Sequence, residues 1–296
     1  MNHIKSLYAP FAMALLLASC GEGKYWEEPP RPLNVYAFAK NTESLVVPAS
    51  ETAPSSFDVT IRRNNPTDEV VLPLTFEEVD GQGNPVSLEV LSGPSEVVFE
   101  KGSLTATYTI SIDNEMIVGG SNYSATITID PTNATEYETQ IKEDSDNLIF
   151  TFSISQAINW VSAGTASTMS AMFENEDPVD VPVEYASNVP LANGNKLMRL
   201  VSPYWYVDPE SVKSGYNLQF YVDKDNNAVS FPSWQWIGFV LQGYDFFIGC
   251  PASQGCTFTN DGATFTLEGM FAYGSGAPQA YYDYETLIFT WSDYSE

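Results

Sequence analysis

The feature that most constrains the fold of this chain is a period-two alternation of apolar and polar residues in short segments. The clearest examples are residues 56–62, 104–112, 123–129 and 150–154. Successive side chains of a strand point to opposite faces, so each segment is typical of a half-buried strand in an antiparallel sheet. Turn-forming runs separate these segments, at residues 64–66, 80–85, 101–102 and 119–120. Short strands joined by such turns predict a β-sandwich over residues 34–156.

Residues 157–296 are also predicted to be β-rich, but their composition is more aromatic. Strands are predicted at 181–185, 196–201, 217–222, 236–241, 245–248, 263–270 and 285–291. Turns at 223–227 and 259–262 allow antiparallel pairing between them. The predicted fold class is therefore all-β, with an N-terminal immunoglobulin-like β-sandwich followed by a second, aromatic-rich antiparallel β domain.

The first 19 residues have the pattern of an export signal. Lys5 precedes an apolar run over 7–17, which is too short to span a bilayer but has the length of a signal-peptide core. The run ends in Leu17-Ala18-Ser19-Cys20, which resembles a bacterial lipobox. This resemblance implies that residues 1–19 are removed and that Cys20 carries lipid. The alternative is an ordinary signal peptide with an incidental cysteine.

Residues 20–33 are rich in Glu, Gly and Pro and predict a tether rather than a packed segment. Acidic residues close behind the lipidated cysteine, here Glu22, resemble the export signal of Sus-like surface lipoproteins. The resemblance implies a protein that is lipid-anchored in the outer membrane and faces the cell exterior.

Charge and histidine content exclude several classes of function. The 296-residue chain carries 38 acidic and 12 basic side chains, for a formal net charge of −26, which repels nucleic acid. Its single histidine, His3, lies in the predicted signal peptide. Without histidine the exported chain has no His-based triad, no His general base and no His-containing metal site.

Two cysteines remain beyond Cys20, and they bracket a short Pro- and Gly-containing segment at 251–255. Such a turn can bring Cys250 and Cys256 within disulfide distance, and an exported protein lies where disulfides persist. We therefore predict a Cys250–Cys256 disulfide that closes a hairpin tip. Neither metal nor cofactor is predicted. The acidic run at 223–227 lacks the Gly and Glu of a calcium loop, because Ala228 and Trp234 stand at those positions.

The two halves also resemble domains of known lipoproteins. Residues 34–156 resemble a Calx-β-like or immunoglobulin-like sandwich found near the N-terminus of Sus-like lipoproteins, through the segments at 57–63, 70–76, 97–103 and 122–123. The second half resembles a C-terminal β domain of the same proteins, through 158–160, 198–204 and 221–223. That second family has no assigned activity, and no calcium ligand set of the first can be matched here.

Aromatic side chains are the best candidates for ligand contact, because a ring supplies area together with a polar edge. Trp234 and Trp236 are two residues apart, which places both on one face if they lie in a strand. Trp205 lies between two tyrosines, and Tyr282 follows a Gly-rich loop. These four are the predicted ligand-binding residues. Five phenylalanines are predicted to fill the core instead: Phe220, Phe239, Phe246, Phe265 and Phe289.

The resemblances imply a non-catalytic surface lipoprotein that captures a glycan or an oligopeptide for a TonB-dependent, Sus-like transporter. The alternative is a structural or accessory subunit of that transporter without a ligand of its own. A carboxylate-based glycoside hydrolase is a third possibility, since paired acids need no histidine. Acidic pairs occur at 208 and 210 and at 283 and 285, but nothing in the sequence selects one of them as catalytic.

Overall fold

The computed structural model describes residues 35–129, 148–175, 177–232, 234–250 and 256–292. The predicted signal peptide, Cys20 and the tether lie outside these residues. The described chain is nearly all strand, with one short α-helix and a 3₁₀ turn at Ala192–Gly194. The all-β prediction is confirmed. Within the described part, no helix has the length and apolarity needed to cross a bilayer.

The first half is a sandwich of two sheets. Its strands are β1 (Tyr36–Phe38), β2 (Thr42–Val47), β3 (Ser56–Arg63), β4 (Val70–Val79), β5 (Leu91–Ser92), β6 (Glu96–Phe99), β7 (Thr105–Ile112), β8 (Asn122–Ile129) and β9 (Ile149–Gln156). One sheet has the order β1-β3-β7-β5 and the other β2-β9-β8-β4-β6. The pairings between these named strands are antiparallel except for β2 with β9.

The core of the sandwich follows the alternation in the sequence. In β7 every second residue is buried, and Tyr108 and Ile110 are fully enclosed. The buried side chains of both sheets form one apolar cluster between them. Arg63 closes one end of this core, since its guanidinium donates hydrogen bonds of 2.7–2.8 Å to the backbone carbonyls of Ser103, Asp68 and Glu100.

A close approach between Gly93 and Tyr108 gives a first prediction. A Cβ at Gly93 would lie 2.1 Å from the Tyr108 hydroxyl, which has no hydrogen-bond partner among the described residues and whose pKa burial raises to about 12. Gly93→Ala is expected to destabilise the sandwich by about 2 kcal/mol through overpacking. Adding Tyr108→Phe should restore only part of that loss, because it removes the nearest atom but leaves the ring carbon Cζ of residue 108 at 2.8 Å and Phe76 Cδ2 at 2.9 Å from the new Cβ. Tyr108→Phe alone should be neutral or slightly stabilising.

Hydrogen exchange of the β7 amides measures the stability of the sandwich in each variant, because these amides report on the first half separately from the second. Equal destabilisation by Gly93→Ala with and without Tyr108→Phe would show that the hydroxyl does not fill the space above the glycine.

The second half is a single curled sheet. Its strands are β10 (Trp160–Ser170), β11 (Val179–Ala186), β12 (Lys196–Leu200), β13 (Leu218–Val222), β14 (Ala228–Ser230), β15 (Gln235–Leu241), β16 (Tyr244–Gly249), β17 (Thr257–Asp261), β18 (Thr264–Gly274) and β19 (Ala280–Trp291). The order is β14-β13-β12-β11-β10-β19-β18-β16-β15, and β17 also pairs with β18.

The curl brings the two ends of this sheet together. The amide of Ala228 in β14 donates a 2.7 Å hydrogen bond to Asn260 Oδ1 in β17, and the amide of Gln219 in β13 donates a 2.6 Å hydrogen bond to Gln235 Oε1 in β15. The enclosed face, called the inner face below, carries a second apolar cluster. Helix α1 (Pro203–Val207) contacts β10, β11 and β15, and buries Tyr204 in that cluster.

The predicted strands of this half are confirmed, with boundary shifts of a few residues. The exception in length is β19, which begins at Ala280 rather than at 285. Of the phenylalanines predicted to be buried, Phe220, Phe246, Phe265 and Phe289 are in the core, and Phe239 packs against it while partly exposed. Strand β10 was not predicted, because its Ser-, Thr-, Ala- and Gly-rich sequence lacks a strong apolar alternation.

The acidic run at 223–227 is a turn between β13 and β14, as predicted. Asp223 Oδ1 accepts hydrogen bonds from the amides of Asp225 at 2.9 Å and Asn227 at 2.8 Å. The pKa of Asp223 is lowered by hydrogen bonds from Asn227, of which the side-chain bond has the larger effect and the backbone bond the smaller. Asp80 and Asn84 repeat the arrangement in the sandwich. Among the described residues there is no group of three or more Asp, Glu, Cys or His side chains that could hold a metal.

Candidate ligand-binding face

The candidate site lies on the face of the curled sheet that points away from the inner cluster. In β15, β16, β18 and β19, directly paired residues share a face. Trp236 pairs with Phe247, Phe247 with Ala272, and Ala272 with Tyr281. Their neighbours along the strands, such as Ile248 and Phe271, belong to the inner cluster. The row from Trp236 to Tyr281 therefore lies on the outer surface.

A second row runs beside the first. Gly249 pairs with Met270, and Met270 pairs with Tyr284. Trp234, the residue before β15, lies over Gly249, because a Cβ there would come within 2.7 Å of Trp234 Cε3. Trp234 has a φ of +52°, which is in the left-handed region and turns its backbone out of the strand. The glycine at 249 leaves the space that the indole occupies.

Five rings make up this surface, which we call the outer aromatic face: Tyr216, Trp234, Trp236, Tyr281 and Tyr284. Trp236 packs on Tyr216 with ring centroids 4.4 Å apart, and Trp234 packs near Tyr281 at 5.9 Å. Tyr284 is 71% exposed, Tyr281 50% and Trp236 36%. Four of the five rings thus pack in two pairs, and Tyr284 extends the exposed aromatic area beside them.

A buried layer supports the rings. Phe247, Met270 and Ala272 lie on the outer side of the strands, yet they are only 7%, 6% and 1% exposed and are not part of the inner cluster. The aromatic side chains on the same face account for this burial. An apolar floor beneath them fixes the ring positions, and fixed rings lose little conformational entropy when they bind a ligand.

The other two predicted aromatics lie elsewhere. Tyr282 packs edge-on against Phe246 at 5.0 Å and against Tyr273 at 6.3 Å, at the rim of the inner face. Trp205 is in helix α1, partly buried against the inner cluster and in edge contact with Tyr206 at 4.9 Å. The structure therefore brings together Trp234 and Trp236 but not Trp205 or Tyr282. Whether any of the four binds ligand stays a prediction.

Sequence reasoning selected Tyr282 and passed over Tyr281 and Tyr284 as site residues. The reason is a β-bulge in β19, where the pairing register shifts between Phe271 and Ala272 of β18. In a regular strand, residues 282 and 284 would share a face. The extra residue at the bulge instead puts Tyr281 and Tyr284 on the outer side. Tyr216 was missed because it precedes β13, and only the tertiary fold places its ring beside Trp236 of β15.

Glu285, a member of one acidic pair, points inward and is 1% exposed. Its carboxylate accepts hydrogen bonds from Ser170 Oγ at 2.6 Å, the Met172 amide at 2.9 Å and Tyr204 Oη at 3.5 Å. Burial raises its pKa to about 7, against the lowering effect of these hydrogen bonds. The carboxyl binds the turn after β10 to the core, while Asp283 is exposed on the surface.

Both described cysteines are free in the structure. Burial raises the pKa of the Cys250 thiol to about 12, and the hydrogen bond and charge of Cys256 add to the shift. The thiols also lie 3.9 Å and 3.8 Å from the carbonyls of Glu268 and Gly249. The two sulfurs are thus neighbours, and a disulfide between them remains a prediction. Residues 251–255 between them lie outside the described part.

No protein-family model matches the sequence, and no curated protein matches it significantly. The Calx-β resemblance of the sandwich therefore stays a prediction. Solved structures that overlap with the chain include a protein of unknown function from Bacteroides ovatus, at 9% identity and a TM-score of 0.37 over 86% of this chain and 89% of that one.

Two further neighbours come from the same genus. One is a multidomain protein including DUF1735 from Bacteroides ovatus, at 10% identity and a TM-score of 0.33, over 86% of this chain and 94% of that one. The other is an auxiliary nutrient binding protein from Bacteroides thetaiotaomicron, at 8% identity and a TM-score of 0.32, over 85% and 89%. At these identities and TM-scores, the function of this chain has to be inferred from its own residues.

Proposed function

We propose that this protein is a non-catalytic cell-surface lipoprotein that binds a glycan on its outer aromatic face. The observation that carries the proposal is the set of five rings held on one surface of the curled sheet, above a buried apolar floor. Flat aromatic faces stack on the apolar faces of sugar rings, and the tyrosine hydroxyls and indole N–H groups add hydrogen bonds.

The dimensions of the face suit a polymer better than a single small molecule. Trp236 and Tyr281 lie on strands separated by two others, so their backbones are about 14 Å apart at the usual strand spacing. The rings are also exposed on a surface rather than enclosed in a cleft. An extended chain can contact several rings at once, and each contact then adds to the affinity of the others.

Attachment and partners follow from the N-terminal residues. We propose that Cys20 is lipidated, that residues 20–33 form a tether, and that the protein faces the exterior of the outer membrane. A lipid anchor with more than one acyl chain gives durable attachment. In this position the protein would deliver its ligand to a TonB-dependent, Sus-like transporter.

The second candidate function is an accessory subunit that packs beside such a transporter. It is favoured by Met169 and Ile288, which pair across β10 and β19 on the outer side and are 38% and 37% exposed. These side chains extend apolar surface away from the rings, and larger exposed apolar patches are typical of protein contact sites.

A binding series tests the glycan proposal. Trp236→Ala and Tyr281→Ala are each expected to weaken glycan binding by about tenfold, because each removes one stacking surface. The matched control is Tyr206→Ala, since Tyr206 is exposed to a similar extent, 37% against 36% for Trp236, but lies on helix α1. Affinity gels and calorimetry with neutral polysaccharides, and with oligopeptides for comparison, give the affinities.

The outcomes separate the candidates. Binding that is weakened by both substitutions but not by Tyr206→Ala, with no change in glycan length, supports capture of a glycan. Binding of oligopeptides but not glycans would support the outer aromatic face as a binding site and would show that its ligand is a peptide. Shortening of the glycan would overturn the non-catalytic assignment, and absence of binding across the panel would favour the accessory subunit.

A further inference from the structure

A separate cavity opens at one end of the inner face, away from the outer aromatic face. It has a volume of 620 Å³, in the range of small-ligand sites. It is formed by β10, β11, β12, the turn after β13 and the end of β19. The residues that line it are Ser162, Ala163, Gly164, Tyr185, Lys196, Met198, Asn226 and Trp291.

The strand register places a lysine in this cavity. Lys196 pairs with Val222, and two residues further on Met198 pairs with Phe220 and with Tyr185. Val222, Met198 and Phe220 all belong to the inner cluster, so Lys196 has the same orientation at the open end of that face. Its Nζ donates a 2.7 Å hydrogen bond to Asn226 Oδ1.

The charge around this lysine is unusual for the chain. The protein has 38 acidic and 12 basic side chains, yet Lys196 has no ion-pair partner among the described carboxylates. In the adjoining turn, Lys224 pairs with Asp225, and the Asp223 carboxylate accepts hydrogen bonds from its own turn. An ammonium group has three donors, and Asn226 uses one of them. The lysine is thus able to donate to an anion that enters the cavity.

The remaining walls suit a sugar ring. Trp291 is 6% exposed and Met198 1%, while Tyr185 is half-buried beside them. Aromatic and thioether side chains give an apolar wall, and Lys196 and Ser162 provide polar groups at its edge. One apolar wall with a few polar groups at its rim is the usual composition of a specific small-ligand site.

We propose that this cavity binds a sugar residue that carries an anionic group, a carboxylate or a sulfate, with the anion on Lys196. The nature of the ligand rests on the proposed glycan function, but the site does not share residues with the outer aromatic face. The acidic protein repels anions at long range. That repulsion is screened beyond about 8 Å at physiological salt, whereas a contact inside the cavity is screened less.

The test compares three sugars that share the galactose ring and differ in the group at C6, which is a neutral hydroxymethyl, a carboxylate or a sulfate ester. Galactose, galacturonic acid and galactose 6-sulfate are titrated into the purified protein and followed by NMR and calorimetry. The acidic sugars are expected to bind more tightly than galactose, and Lys196→Met should weaken their binding by about tenfold, because it removes a charge-assisted hydrogen bond. Lys196→Arg should retain most of the binding. Lys101→Met is the control, since it makes the same change on an exposed turn of the sandwich.

The result that would overturn the proposal is equal affinity for the three sugars, or acidic-sugar binding that Lys196→Met leaves unchanged. The two arms with acidic sugars distinguish a carboxylate from a sulfate. The two proposals can fail separately. If Trp236→Ala weakens binding of a neutral polysaccharide but Lys196→Met affects no sugar, this inference is wrong and the proposed function stands. A folded Lys196→Met protein is verified by unchanged tryptophan fluorescence.

Discussion

Replacing Glu78 by Gln is expected to lower the unfolding free energy of the sandwich by about 3 kcal/mol, because it leaves buried amides without an acceptor. Glu78 is 8% exposed. One of its oxygens accepts hydrogen bonds from the amides of Leu88 and Glu89, each at 2.8 Å. The other accepts from Val90 at 3.0 Å and Leu91 at 2.6 Å. The carboxylate thus holds the whole segment that leads into β5.

A glutamine has nearly the same shape but only one oxygen, and its NH₂ group would face two N–H donors. Each buried donor that loses its acceptor costs about 1–3 kcal/mol, and hydrogen bonds to a charged acceptor are stronger than neutral ones. Glu89 has a φ of +60°, so its own backbone opposes the observed path of the segment. Without the four hydrogen bonds from the Leu88–Leu91 amides, we expect this segment to detach from the sheet.

Hydrogen exchange of the amides of Val90 and Leu91 measures this effect directly. In the variant, these amides should exchange at the rate of an unfolded segment. The β7 amides should lose protection as well. Glu77→Gln is the control, because Glu77 is the exposed neighbour and undergoes the same chemical change. Comparable loss of protection in both variants would show that charge, and not the hydrogen bonds of Glu78, is responsible.

The fold was largely predictable from the sequence because the strands have a clear period. In β3 and β7 the apolar residues alternate along the whole strand, and the structure buries those residues. Strand β10 shows the limit of this reasoning. It lies between β11 and β19, but its inner residues include Thr168 and Ser170, which are buried and polar. Hydrogen bonds to Ala166 and Glu285 satisfy their hydroxyls, and hydropathy does not reveal such partners.

The site was predictable only in part. The pair of tryptophans at 234 and 236 drew attention to the candidate surface, since both rings lie on it. The positions of the other three rings depend on contacts with residues that are distant in the sequence. Tyr281 and Tyr284 need the bulge in β19, and Tyr216 needs β15 to pass close by, where a Cβ on Gly238 would meet the Tyr216 ring at 2.3 Å. A bulge depends on the pairing partner, so the sequence of one strand does not disclose it.

The inner carboxyl of Glu285 predicts a pH dependence that is opposite to that of an ordinary surface acid. Its pKa is raised from 4.5 to about 7, chiefly because burial penalises the charged form. The folded protein therefore binds more protons than the unfolded chain between these values. By linkage, the contribution of Glu285 to the unfolding free energy is fully present below about pH 4.5. It falls as the pH rises from there and is lost once the pH has passed through 7. The expected loss is about 3 kcal/mol, since each pKa unit corresponds to about 1.4 kcal/mol.

Urea unfolding between pH 4.5 and 8 measures this dependence, with tryptophan fluorescence as the signal. The described tryptophans, Trp160, Trp205, Trp234, Trp236 and Trp291, all lie in the second half, so the signal reports on the curled sheet. Glu285→Gln should flatten the curve, because a neutral amide does not titrate. Its oxygen can still accept a hydrogen bond from Ser170 or from the Met172 amide.

The comparison with Asp283→Asn separates Glu285 from the general charge of the protein. Self-repulsion among 38 acidic side chains also weakens the fold as they ionise, but it acts on every variant. Asp283 is two residues from Glu285 and exposed, so its replacement removes one charge and should leave the slope between pH 4.5 and 7 in place. If Glu285→Gln retains the same slope as Asp283→Asn, the carboxyl is ionised in the folded protein at low pH, and its hydrogen bonds with Ser170 and Met172 outweigh the cost of burial.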